Sequence, residues 1–479
     1  MSALSPDINL TPQLKVSRIM GGLWQVADQE RLGQAPSVNQ AASLLTQYVN
    51  KGISSFDLAD HYGSSELIAG AYSSSDASAT FCTKWVPTPG PASRKQVREA
   101  VEQSLQRMNS SSIALLQYHA WNYADPVWLD HLFWLQELKE EGLIQNLGVT
   151  NFDTDHLRIA LQSGIELVSN QVSYSLLDQR AATAMSPLCQ EFSVKLLAFG
   201  TLAGGFLSEK WLHKEEPKQL ETWSQMKYQR FIQSAGGWAK FQQVLAQLSQ
   251  LAEQKKCSVA QIAARYILDD PQVAAVIVGI RLGERDHSDQ NVAILTLPWT
   301  EADHKLVSKI ISEFAPISGD CGDEYRKPPF LTASGDLSHH IDKLPPPYQV
   351  VEDKGIRKIF SGTEWESLAG YCRAMQKGQR ILISGTTATH GERAIGGDDP
   401  IAQTHFVLDK IEGTLQSLGA SMQQVVRTRI YVRNIDHWPA VARVHGQRFA
   451  EIQPANTLVK ADLVGDEYLV EIEAEALVD

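Results

Sequence analysis

The chain has 479 residues, 43 Lys+Arg against 55 Asp+Glu, a net charge of −12, and 43% hydrophobic against 20% charged residues. That length predicts two or three domains, and that composition excludes a long disordered chain, a coiled coil and a collagen. The acidic balance argues against wrapping nucleic acid or lying on an anionic membrane, and no apolar run approaches the ~18 residues of a membrane span. The first residues carry no basic-then-apolar run, so no secretory signal is expected. Five cysteines (Cys82, Cys189, Cys257, Cys321, Cys372) lack CxxC spacing. They read as reduced thiols in a cytoplasmic protein, neither a disulfide frame nor a zinc site.

In chain order, residues 1–315 alternate short apolar runs with amphipathic patterns. Eight strands are predicted, ending near Trp24, Asp57, Lys84, His119, Asn151, Gln171, Phe199 and Gly279. Helical stripes lie between most of them, for example Val97, Val101, Leu105, Met108 and Leu132, Leu135, Leu138. Strand–helix alternation predicts a parallel sheet, and eight units in this length fit a closed (β/α)8 barrel, an α/β fold. The rival is a doubly wound open sheet, but no GxGxxG follows an early strand. Residues 316–349 are rich in Pro, Gly, Ser and Asp and read as a linker or irregular crossing. Residues 350–479 form a second, α+β segment. Its strands are ILISG (381–385), VVRTRIYVRN (425–434) and YLVEIEAEALV (468–478), and a helix over 404–419 presents Val407, Ile411, Leu415 and Leu418 on one face.

The chemistry of the first segment gathers at strand ends. FDLADHYGSSE (56–66) closes a strand at Asp57 and carries Tyr62 in the loop; TFCTKW (80–85) and IALLQYHAW (113–121) bring Lys84 and His119 to the ends of the next two. Barrel strands meet at one catalytic face, so the four can converge. Each alone is an ordinary strand-end residue; the conjunction is informative. A phenol titrates near ~10, and a neighbouring ammonium favours its phenolate. A carboxylate then holds the ammonium, and an imidazole orients a substrate oxygen. Such a group of residues suits protonation of an oxygen as the carbonyl carbon is reduced.

On these motifs the segment from ~10 to 315 resembles the aldo/keto reductase family. The resemblance implies Tyr62 as general acid, Asp57 and Lys84 tuning it, His119 orienting the substrate, and NADPH (NADP+) as cofactor with no metal. GGLWQV (21–26) resembles the first strand and loop, bringing Gly22 and Trp24 to the site. LGVTNF (147–152) and NQVSYSLLD (170–178) supply Thr150, Asn151 and Gln171 for the nicotinamide carboxamide. AFGTLAGGFL (198–207) resembles a loop over the nicotinamide and pyrophosphate, with Phe199 in place of a tyrosine to stack and Gly200, Leu202 and Gly205 near the phosphates. VAAVIVGIRLGERDHSDQNV (273–292) resembles the closing loop around the adenosine. It brings Gly279, Arg281 for a 2′-phosphate with Arg285 able to share the role, and Gln290 and Asn291 for the adenine. Trp24, Trp85 and Trp121 are candidates for an aromatic substrate pocket. ETWSQMKYQRF (221–231) reads either as a loop over the cofactor or as a surface helix.

Residues ~350–479 resemble the RidA/YjgF family through GYCRAMQKGQRILISG, ASMQQVVRTRIYVRNIDHW and PANTLVKADLVGDEYLVEIEAEA. The resemblance implies a chorismate-mutase-like α+β domain, usually a homotrimer, with clefts between subunits in which some members hydrolyse imines or enamines. Tyr371, Ser384 and Glu473 match the cleft positions. Asn456 stands in PANT where active deaminases carry an arginine, and an amide cannot replace that charge. Arg427, Arg429 and Arg433 read as a solvated or interface face, with a substitute anion site as the alternative. This segment has 14 Lys+Arg against 18 Asp+Glu, so RNA is not expected as partner. His390 with Glu392, and the His339–His340 pair, read as surface residues. The expected protein is a cytoplasmic NADPH-dependent carbonyl reductase acting on a small molecule and possessing a RidA-like domain. The alternatives are an NADPH-binding redox sensor and a bifunctional imine hydrolase and reductase.

Overall fold

The computed structural model describes residues 3–74, 76, 78–331 and 344–478; the His339–His340 pair and part of the 316–349 segment lie outside them. A hairpin, β1 (Asp7–Asn9) and β2 (Lys15–Ser17), leads into eight parallel strands: β3 (Ile19–Gly22), β4 (Ser55–Asp57), β5 (Thr80–Trp85), β6 (Leu115–Tyr118), β7 (Leu147–Thr150), β8 (Ser169–Ser173), β9 (Lys195–Phe199) and β10 (Val273–Gly279). They close in sequence order, β10 pairing β3, into a barrel. The strands are short, and β4, β6, β7 and β8 are buried along their whole length, polar residues such as Ser55, Asn170 and Gln171 included. Inside the barrel Met20, Cys82, Leu115, Leu197 and Ile277 pack together, and Leu14 and Val16 of the hairpin join them. The first strand stops two residues earlier than its predicted end. Leu23 turns the chain, and Trp24 starts the helix Trp24–Arg31.

After the barrel the segment from Pro316 does not leave its surface. Ile317, Cys321, Asp323, Glu324 and Leu331 are buried. Arg180, held by Asp178 at 2.8 Å, reaches Glu324 at 2.9 Å and donates to the Asp320 carbonyl at 2.6 Å. Those buried charges bind the segment without any apolar periodicity.

The second segment builds a seven-stranded sheet from β11 (Val350–Asp353), β12 (Ile356–Ile359), β13 (Ala374–Lys377), β14 (Arg380–Thr387), β17 (Val425–Val432), β18 (Ala455–Lys460) and β19 (Val470–Leu477). The order is β11-β12-β13-β14-β19-β17-β18, and a small separate hairpin pairs β15 (Thr389–His390) with β16 (Arg393–Ala394). Only β17 and β18 run parallel in the sheet, joined across the helix Trp438–Phe449. Residues 470, 472, 474 and 476 of β19 are buried, and the alternate residues face outward. The helix Pro400–Ser417, capped by Asp399, packs on β14 and β19. No described helix is long and apolar enough to cross a membrane.

Candidate active site

Parallel strands in a barrel bring their last residues to one rim, and the predicted quartet meets there. Asp57 ends β4, Lys84 lies one residue from the end of β5, and His119 directly follows β6. All three are nearly inaccessible, at 3%, 3% and 1% exposure. Lys84 Nζ donates to Asp57 Oδ1 at 2.6 Å and to the Leu58 carbonyl at 2.8 Å, and lies 4.7 Å from the centre of the Tyr62 ring. Burial pulls the Lys84 ammonium below its usual range, and the Asp57 carboxylate opposes that pull. The ammonium therefore depends on its partner. His119 sets Nδ1 3.4 Å from the Thr150 carbonyl. Trp121 stands edge-on against the imidazole at 4.4 Å and is itself fixed by donating Nε1 to the Pro87 carbonyl at 2.7 Å.

The quartet lies in a cleft of about 1000 Å³. Every residue expected to hold a dinucleotide lines that cleft except Gln290 and Asn291. Those two sit on the short helix Ser288–Val292, where the Gln290 carbonyl accepts from Gln261 and its side chain meets His287. Gln171 is at the cleft, but its amide is spent on Asp57, at 2.7 Å. Asn151 holds φ at 58°, a backbone that asparagine tolerates better than most residues. Its buried Oδ1 has no hydrogen-bond partner among the described residues, so a carboxamide N–H fits there. Gly200, at φ 73°, lies so near the Tyr228 hydroxyl that a Cβ would collide with it. Arg281 and Arg285 both line the cleft, with Glu284 3.3 Å from Arg281.

Of the three tryptophans expected around substrate, Trp24 lines the cleft, 4.9 Å from Tyr62. Trp85 does not; it is buried against Tyr118 and His131. Trp121 lies behind His119 rather than facing the cleft. Sequence reasoning missed His61 and Tyr325, which do line it, and gave no individual role to Trp223 and Lys227 of the 221–231 motif, which line it too. Trp223 packs 5.3 Å from Trp24, and Lys227 donates to the Tyr325 hydroxyl at 2.8 Å. From Trp223 the 221–231 motif is helix, Trp223–Ser234, with Tyr228 and Phe231 buried and its first turns bordering the cleft. Tyr325 had no signal, because its segment reads as loop by composition.

The four predicted residues of the second domain do not converge within one chain. Asn456 donates to Thr428 Oγ1 at 2.9 Å, which meets His445 on the helix side of the sheet. Glu473 points to the other side, pairing Arg429 at 3.0 Å and accepting from the Tyr431 hydroxyl at 2.5 Å. Ser384 donates to the Cys372 carbonyl, and Tyr371 follows the helix Glu364–Ala369. Arg433 is absorbed by the carbonyls of Leu463 and Tyr468. His390 pairs with Asp130 of the barrel at 2.9 Å, so it is an inter-domain residue, 19% exposed.

The family model of the aldo/keto reductase family matches residues 18–312, and that of Endoribonuclease L-PSP matches residues 362–478. The NADH-specific methylglyoxal reductase of Escherichia coli is 27% identical over 224 residues, covering 46% of this chain and 65% of that one. The glycerol dehydrogenase structure from Gluconobacter oxydans superposes with a TM-score of 0.53 at 22% identity, covering 66% of this chain and 98% of its own. A Mycobacterium tuberculosis structure described as a member of the YjgF/YER057c/UK114 family is 42% identical, covering 26% of this chain and 99% of its own, with a TM-score of 0.24. The chain therefore belongs to the aldo/keto reductase family and carries a YjgF/RidA-like domain behind its barrel.

Proposed function

We propose that the barrel reduces an aldehyde or ketone to an alcohol with NADPH, Tyr62 acting as general acid. The observation that carries this reading is the buried Asp57–Lys84 pair, with the Lys84 ammonium 4.7 Å from the Tyr62 ring at the cleft. Bound NADPH supplies the hydride that the carbonyl carbon takes up. The protein supplies the rest. Tyr62 gives its phenolic proton to the carbonyl oxygen, the Lys84 ammonium stabilises the phenolate left behind, and Asp57, fixed by Gln171, keeps that ammonium in place. His119 orients the oxygen, and Trp24 beside Tyr62 excludes water. Asn151 holds the carboxamide edge, and Arg281 with Arg285 favours a cofactor bearing a 2′-phosphate. The E. coli relative is named for NADH, so the preference between dinucleotides is part of the test.

The domain division proposed is a barrel over 1–315, a crossing segment over 316–349 and a RidA-like domain over 350–479. The crossing segment lends Tyr325 to the cleft. Asn456 and Glu473 face opposite sides of one chain's sheet, so an imine-hydrolase cleft built from both would draw them from two subunits.

The test follows NADPH and NADH absorbance over a panel of aldehydes and ketones. Tyr62→Phe is expected to keep cofactor affinity within about twofold and to lower kcat by at least about 10²-fold. Equal rates in variant and wild type would exclude Tyr62 as the acid.

A further inference from the structure

The second domain is seated on the helix that follows Asn151. Helix Thr154–Gln162 packs against helix Pro400–Ser417. At the centre, the buried His156 sets Nδ1 2.6 Å from Asp153 Oδ1 and Nε2 2.9 Å from Asp409 Oδ2. The other oxygen of Asp409 accepts from Arg448 at 2.6 Å. Around this centre Arg158 pairs with Asp399 at 3.0 Å, and the Gly396 N–H donates to Ser163 Oγ at 3.0 Å. A Cβ on Gly413 would collide with the Ala124 carbonyl, so the two domains touch closely there.

The same imidazole also faces the barrel. It stacks on Tyr123 at 3.5 Å with an interplanar angle of 5°. The Arg326 guanidinium lies 4.3 Å from the centre of the Tyr123 ring. Arg326 in turn donates to the Ala120 carbonyl at 2.9 Å and to the Asn151 carbonyl at 2.6 Å. Ala120 follows His119, and Asn151 is the residue with the left-handed backbone at the cleft. Asp153, the N-cap of the helix, binds both the main-chain N–H and the ring of His156. A contiguous chain of contacts thus runs from Arg448 in the second domain to Asn151 at the cleft and to Ala120, the neighbour of His119.

We propose that the second domain is a positioning element for the barrel: its Asp409, through His156, holds the Asn151 and His119 loops in their working geometry. The proposal rests on the reading of the barrel as a nicotinamide-dependent reductase. The contacts end on main-chain carbonyls of the loops that carry the site residues, and a displacement of about 1 Å at such a site costs about 10²-fold in rate. Neither His156 nor Asp409 lines the cleft; they act through Asn151.

The test uses the full chain with Asp409→Asn, which removes the charge and keeps the volume. Cofactor affinity is read from quenching of the cleft tryptophans by NADPH, and order from hydrogen exchange over 119–123 and 151–163. Expected are about tenfold weaker NADPH binding, lost protection over 151–163, and little further weakening when Asn151→Ala is already present. That non-additivity separates positioning from a general loss of stability. Wild-type affinity alongside lost protection, or fully additive effects, would overturn the proposal. Should Asp409→Asn fail to fold, Asp399→Asn loosens the rim of the same interface; about threefold weaker binding supports the proposal and unchanged binding overturns it. If the wild type binds neither NADPH nor NADH, the reductase reading has failed on its own. The exchange data then decide the coupling, and unchanged protection over 119–123 and 151–153 overturns it.

Discussion

Lys84 carries two burdens that can be separated. It neutralises a buried carboxylate, and in the proposed mechanism it stabilises the Tyr62 phenolate. Lys84→Met removes both, so kcat should fall by about 10²–10⁴-fold and stability by about 3–5 kcal/mol, because Asp57 keeps a buried charge with no cation. Adding Asp57→Leu removes that orphan charge, and replacing both members of a buried pair is often close to neutral. The double variant should regain most of the stability, measured by urea unfolding, and none of the activity. Recovery of turnover in the double variant would mean that the ammonium has no catalytic part. At this scale the site was legible in the sequence because chemistry and topology coincide: Asp57, Lys84 and His119 each stand at or beside a strand end. Tyr325 and Lys227 were not, since neither belongs to a strand-end pattern and their pairing joins residues 98 apart.

The segment after Pro316 shows what composition conceals. Its Gly, Pro and Asp residues read as a linker, yet Gly322 fits against the Asn151 carbonyl at φ 81°, and Glu324 is buried beneath Arg180. Burial keeps the Glu324 carboxyl under strain, but Arg180 and Lys227 outweigh it and hold its pKa low. Such packing depends on charge complementarity between distant residues, which leaves no periodic trace. Gly322→Ala adds a methyl where the carbonyl stands and imposes a backbone that alanine disfavours. It should cost at least about 2 kcal/mol and weaken NADPH binding through Asn151, read by thermal unfolding and by fluorescence titration. A variant as stable as wild type would mean that the segment yields freely. The helix Pro400–Ser417 gives the opposite lesson. Val407, Ile411, Leu415 and Leu418 are buried as the pattern requires, but His405 and Asp409 on its opposite side are buried too, against Asp155 and His156. A polar stripe ordinarily faces water. Here the barrel covers it, and no single-domain pattern announces a second partner.

At the scale of the whole molecule, the two domains share a charge that titrates. Burial works against a protonated His156, but Asp153 and Asp409 outweigh it and raise its pKa to about 9, from an ordinary value of about 6.5. A raised folded pKa means that the stabilisation is complete below about 6.5 and is lost as pH climbs through 9. Asp409 is held below the ordinary carboxylate range: burial opposes its charge, and His156 with Arg448 prevails, so its share is present above about 4 and lost in acid. Together these place the strongest docking between about pH 4 and 6.5, weakening toward 9. Asp155 and His405 also face the imidazole, Asp320, Arg326 and Lys327 face its partner Asp153, and all stay in place in any comparison of variants. Lys410 acts in the opposite sense. Its burial lowers its pKa to about 7, so the unfolded chain binds its proton more tightly and stability rises with pH from 7 upward. Total stability against pH is therefore a sum of opposed curves. The contribution of His156 emerges only as the difference between wild type and His156→Gln, which cannot titrate. That difference in unfolding free energy should be largest at pH 6 and shrink by about 3 kcal/mol by pH 10. Urea unfolding at four pH values measures it. A difference that stays constant across the range would mean that His156 is not charged at the interface, and the domains would then be held by packing and by contacts such as Arg158–Asp399 and His390–Asp130.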